Sequence, residues 1–217
     1  MRRNYKLILE LKNIYKSKRK EIIKKLLEFK YKGLYGSNED IFAELCFCIL
    51  TPQSKAKRCW ETVEKLKEKN LLIKGNASKI KKKIFGIRFR NKKARYIVEA
   101  RKFFLVNGKI KIKEILNKFD NIEKCRDWLV KNLKGIGYKE ASHFLRNIGK
   151  GEKFAILDRH ILKNLKSLGL IKEIPNLNKK TYLFIENEMK KISKNIRIPI
   201  SHLDLLLWYK ETGEIFK

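Results

Sequence analysis

A chain of 217 residues with 43% apolar and 11% aromatic side chains can bury a real core, which excludes wholesale disorder. Lys and Arg number 54 against 23 Asp and Glu, a formal charge of +31. A field of that size attracts polyanions, nucleic acid foremost, and it is amplified by a lysine-rich composition in which Gln53 is the sole glutamine. No apolar run approaches the roughly 20 residues that span a bilayer. Met1-Arg2-Arg3-Asn4-Tyr5 passes directly into a charged amphipathic pattern without a signal-peptide core, so a cytoplasmic location is expected.

In chain order the pattern is helical nearly throughout. Leu7, Ile8, Leu11, Ile14 and Tyr15 recur at helical spacing, followed by Ile22, Ile23, Leu26 and Leu27. The stretch Lys30 to Gly36 predicts a break, after which Ser37 with Asp40 forms an N-cap pair opening the apolar run Ile41 to Leu50. Thr51-Pro52 reads as an N-cap followed by proline at the first helical position, and that helix carries Trp60, Val63 and Leu66 as far as Gly75-Asn76. A short helix spans Ser78 to Phe85, and a longer one runs from Asn91 to Val106 before Asn107-Gly108. Two short helical stretches follow, the second turning Cys125, Trp128, Leu129 and Leu133 inward. Further helices begin near Tyr138, Asp158, Asn178 and Ser201. With three prolines and no sustained alternation, the fold class is all-α.

The expected organisation is a single unit over 1–217. Within it, two helical subdomains flank a cleft, one over 40–125 and the other over 1–39 plus 126–217. Cys46, Cys48, Cys59 and Cys125 are scattered within apolar helical patterns and match neither a zinc spacing nor a four-cysteine cluster run. Buried reduced thiols and no metal are the expectation.

The chemistry concentrates in Leu133-Lys134-Gly135-Ile136-Gly137-Tyr138-Lys139-Glu140-Ala141. Gly135 and Gly137 around an apolar residue permit a tight hairpin and bare backbone N–H groups at the start of the next helix. Those groups and the helix dipole make a phosphate site that needs no side chain. This is the form of a helix-hairpin-helix element, which grips the DNA backbone without reading sequence. Lys139 stands on the first turn after the hairpin, where its amine can reach a sugar C1′ once the base leaves the stack. Attack requires loss of its proton, which desolvation and a helix N-terminus both favour. Asp158 follows 19 residues later in Phe154-Ala155-Ile156-Leu157-Asp158-Arg159-His160. It reads as the N-cap of the next helix, and a carboxylate there can also stabilise a cationic sugar and help deprotonate Lys139.

On these motifs the chain resembles the helix-hairpin-helix DNA glycosylase superfamily, the endonuclease III relatives, over roughly Asp40 to Lys217. The hairpin lysine and an aspartate about 20 residues on match its bifunctional members, whose lysine forms a Schiff base with the sugar. Within that superfamily, endonuclease III itself carries a C-terminal four-cysteine iron–sulfur cluster, which this sequence lacks. Gly86-Ile87-Arg88-Phe89-Arg90-Asn91-Lys92-Lys93-Ala94, the segment Leu203 to Tyr209, and Thr212-Gly213-Glu214-Ile215-Phe216-Lys217 resemble the archaeal-type 8-oxoguanine DNA glycosylase/lyase branch. That branch ends on a lysine at the damaged-base pocket, so the resemblance assigns Lys217 to base recognition and Phe85 to stacking on the flipped base. Gln53 matches the place where many superfamily members insert a residue into the gap left by that base. Trp208 and Phe89 are more simply core aromatics.

The implied activity is excision of 8-oxoguanine followed by strand nicking. The implied partner is double-stranded DNA containing that lesion, met by a monomer. No cofactor is called for, although a monovalent cation can bridge hairpin carbonyls to phosphate. Two alternatives remain open from the sequence: a glycosylase/lyase for oxidised pyrimidines, and a non-catalytic helix-hairpin-helix DNA-binding module. Lys217 and the missing cluster weigh against the first, and the pairing of Lys139 with Asp158 against the second.

Overall fold

The computed structural model describes residues 2–217, with side chains from Lys6 onward. Among them stand α1 (Arg2–Tyr35), α2 (Asn38–Leu50), α3 (Ala56–Glu68), α4 (Leu71–Lys74), α5 (Ala77–Lys83) and α6 (Arg90–Phe104). A two-stranded ribbon, β1 (Leu105–Val106) and β2 (Lys109–Ile110), leads to α7 (Ile112–Leu116), α8 (Ile122–Asn132) and α9 (Tyr138–Asn147). The chain closes through α10 (Arg159–Ser167), α11 (Lys179–Ile196) and α12 (Ile200–Thr212). The fold is all-α apart from the ribbon, which turns through left-handed Asn107 and Gly108, a hairpin pair that suits the twist of two strands.

The helix expected to reach Gly75 is split at left-handed Asn70, the one expected to reach Val106 gives way to β1, and two further boundaries move. The break at Lys30 to Gly36 does not occur, and α1 runs on to Tyr35. Gly33 is a point of close approach: a Cβ there would lie 2.0 Å from the Ile148 carbonyl oxygen, so only glycine lets the helix pass the end of α9. Thr51 does not open a helix. It ends α2, its hydroxyl bonding back to the Cys48 carbonyl at 3.0 Å, and α3 starts only at Ala56. Gln53 therefore belongs to a loop, with φ of 55°.

The buried apolar residues form two clusters. In the first, α2 is central, with Ile41 to Leu50 wholly buried against α3, α6, α7 and α9. In the second, Leu11 and Ile22 of α1 meet Ile161 and Leu165, Tyr182 and Met189, and Leu203 with Leu205 to Leu207. After α1, the chain returns to the second cluster between Phe154 and Ala155. Cys125, Leu129, Ala141 and Phe144 of α8 and α9 join the first cluster because the apolar face of α9 lies against α2. A buried ion pair, Arg126 with Glu186, ties α8 to α11 across this divide. The four cysteines are buried free thiols.

Candidate active site and nucleic-acid interface

The segment between α8 and α9 is a hairpin built around Gly135. Its φ is +81°, and a Cβ would meet the Tyr96 ring at 2.6 Å, so glycine is required both by backbone and by space. Leu133, Ile136 and Ala141 are buried and anchor it. Gly137 is the N-cap of α9, and its N–H donates to the Glu140 carboxylate at 3.2 Å. One of the N–H groups expected to stand bare is thus occupied by a residue of the same turn, as in a capping box.

Lys139 projects from the first turn of α9 with 19% of its side chain exposed, its Nζ 3.8 Å from Glu140 Oε1. His143 and Arg146 follow at helical spacing on the same face. The His143 imidazole is buried, with neither ring nitrogen in a normal hydrogen bond. Burial first, then the charges of Arg146, Lys139 and Lys217, drive its proton affinity well below the ordinary histidine range, and the Lys217 backbone lies alongside. Asp158 caps α10 as expected, its carboxylate accepting the Ile161 N–H at 2.8 Å. It makes no ion pair with Lys139 among the described residues. Its charge is felt instead by Asp204, which pairs with Arg146; burial first, with Asp158 adding to it, lifts Asp204 to about 6.

Lys217 is held in the same region. Its ammonium pairs with Glu44 and sits 3.1 Å from the centre of the Trp60 ring, and burial lowers its pKa to about 8. Gln53 is exposed on its loop. Lys93, buried and pushed down to about 8 by desolvation, clamps that loop by donating to the carbonyls of Leu50 (2.7 Å) and Pro52 (2.6 Å). Ser54 Oγ accepts from Arg88 N–H at 3.2 Å, tying the loop to the turn that carries Phe85. Phe85 is 71% exposed, beside a groove of about 530 Å³ lined by Lys55, Lys57, Arg58, Lys65 and Lys83, with one acidic residue, Glu61, among them. No aromatic or cation contact joins Phe85 to Lys217 among the described residues. Trp208 and Phe89 are not core residues: Trp208 is half-buried, edge-on to His160, and Phe89 is 49% exposed in a left-handed conformation.

Sequence reasoning missed Glu44, His143 and Lys93. Glu44 had a signal, as the single charge within the apolar run Ile41 to Leu50. His143 had the helical spacing from Lys139. Lys93 had none in a chain so rich in lysine.

A family model described as 8-oxoguanine DNA glycosylase, with the helix-hairpin-helix element, matches residues 6–198. A protein of Fusobacterium nucleatum named 8-oxoguanine DNA glycosylase/AP lyase is 46% identical over 96% of this chain and 96% of its own. The crystal structure of the Thermotoga maritima 8-oxoguanine DNA glycosylase superposes with a TM-score of 0.85 at 36% identity, covering 99% of this chain and 100% of that one. The Methanocaldococcus jannaschii 8-oxoguanine glycosylase/lyase, solved with a 15mer DNA containing 8-oxoguanine, gives 0.88 at 39% identity, covering 97% and 99%. The chain belongs to the 8-oxoguanine DNA glycosylase family, in its helix-hairpin-helix form.

Proposed function

We propose that this chain excises 8-oxoguanine from duplex DNA and then nicks the strand, with Lys139 as nucleophile. Its amine on the first turn after the glycine hairpin is the observation that carries the reading, because it sets a half-buried nucleophile beside a phosphate grip. Gly135 and Gly137 take the backbone, and the groove of lysines next to Phe85 takes the flanking phosphates. Gln53 fills the gap left by the extruded base, while Phe85 stacks on that base and Lys217 meets its edge. The neutral Lys139 amine attacks C1′ and the glycosidic bond breaks, its electron pair leaving with the base, which gains a proton. Asp158 stabilises the positive charge that grows on the sugar and assists removal of the amine proton. The sugar ring then opens, the C1′–O4′ bond breaking and O4′ taking up a proton as the C1′=N imine forms. The imine acidifies the C2′ hydrogen, and its loss as a proton forms the C2′–C3′ double bond, expels the 3′ phosphate and cuts the strand. A monomer working in the cytoplasm is sufficient for these steps.

Oxidation places a hydrogen on N7 of guanine, turning an acceptor into a donor. A site that offers an acceptor there bonds the damaged base and leaves guanine unpaired, a large discrimination. Borohydride trapping on an 8-oxoguanine duplex tests the reading, with an oxidised-pyrimidine duplex run in parallel. A covalent adduct is expected for the wild type on the first duplex, absent for Lys139→Gln and strongly reduced for Asp158→Asn. An adduct that survives Lys139→Gln removes the nucleophile from the scheme. Equal trapping on both duplexes overturns the choice of base.

A further inference from the structure

Glu44 is fully buried in the middle of an otherwise apolar helix. Its Oε1 accepts from the ammonium groups of Lys217 and Lys32, and its Oε2 from Asn147 Nδ2 at 3.1 Å. A buried carboxylate is costly, and an apolar residue of similar size fills a helix interior better. Core packing therefore gives no reason for a charge at this position, whereas a fixed seat for Lys217 does. Three further contacts moor the same tail: Lys57 with Glu214 at 2.6 Å, the Phe216 ring edge-on to Phe47, and the Trp60 ring under the Lys217 ammonium. The tail backbone arrives beside the buried His143 ring, whose nitrogens make no well-formed hydrogen bond and have the Lys217 backbone as a marginal polar neighbour, one turn along α9 from Lys139. A buried polar group so poorly satisfied marks a place where a ligand group fits.

We infer that Glu44 is a positioning residue for base recognition: by holding the Lys217 ammonium, it seats the Lys217 backbone beside His143 and so sets the preference for 8-oxoguanine over guanine. This rests on Lys217 meeting the base. Excision of a damaged base needs that seat, whereas cleavage at an abasic site has no base to read.

The test compares single-turnover excision of 8-oxoguanine with cleavage of an abasic duplex, for wild type, Glu44→Gln, Lys217→Met and the double variant. In each single variant the ratio of the two rates is expected to fall about tenfold or more, the scale of a small misplacement. The double variant should fall no further than the worse single one. Glu44→Asp, which keeps the charge, should recover part of the loss. A Glu44→Gln ratio equal to wild type, parallel loss of both activities, or additive losses in the double variant overturns the inference. Should Glu44→Gln fail to fold, Lys217→Met carries the same expectation and the same refutation. Deleting Lys217 separates the two readings. An unchanged ratio removes Lys217 from the base site, whereas a fallen ratio with a silent Glu44→Gln overturns only the positioning role.

Discussion

Replacing Glu186 by alanine should cost far more than a typical surface change, because it breaks a buried pair from one side. Arg126 and Glu186 are 3% and 2% exposed and bond twice, at 2.8 and 3.1 Å. Glu186 also accepts the Ala155 N–H at 2.9 Å, and Arg126 lies 3.8 Å from the centre of the Phe154 ring. Alanine strands the guanidinium in the interior and leaves the Ala155 N–H without its acceptor. Losing one partner of a buried pair costs about 3–5 kcal/mol. For a chain of this length each kcal/mol moves the melting temperature by about 2–4 °C, so a fall of roughly 10 °C is expected. Urea unfolding and calorimetry measure it. Arg126→Met combined with Glu186→Leu removes both charges and should recover most of the loss. The Ala155 bond lies three residues before Asp158, so Glu186→Ala should also slow base excision at temperatures where it is folded. A loss below about 1 kcal/mol, or a double variant as unstable as the two single losses combined, would refute the pair as the brace between the two cores.

Gly135→Ala should strain the left-handed turn and press on Tyr96, costing about 1–2 kcal/mol for the backbone alone. Under the proposed role of the hairpin as a backbone grip, binding to lesion-bearing and undamaged duplexes should weaken together in fluorescence anisotropy; a selective loss would contradict that role. Lys93→Met should change the pH dependence of stability. The folded amine releases its proton at about 8, whereas an unfolded lysine keeps it to about 10.5. Between those values the unfolded chain binds more protons, so stability rises with pH across the window, whereas below it the charged, desolvated amine destabilises the fold by its full, pH-independent amount. Wild type should gain on Lys93→Met from about pH 8 to 10 in urea titrations, and a constant difference would exclude desolvation of this amine.

Local chemistry was readable in the chain because its causes are local. Helical periodicity predicted an all-α fold, and the caps at Ser37, Asp158 and Asn178 appear where serine, aspartate and asparagine precede helical patterns. The glycines of the hairpin and the lysine behind them depend on a few neighbouring residues, so spacing alone located them. Gly33 misled because a glycine that breaks a helix and one that lets two helices touch look the same in sequence. Tertiary structure alone decided which charges are buried. Glu44 and Lys217 meet across a separation of 173 residues, and Lys93 reaches the Gln53 loop from another helix. Burial and pairing depend on neighbours that the fold brings together, and no local pattern encodes them. The sequence by itself determined where the glycine hairpin and Lys139 lie along the chain. Only the packing of α2, α9 and the tail decided what faces them.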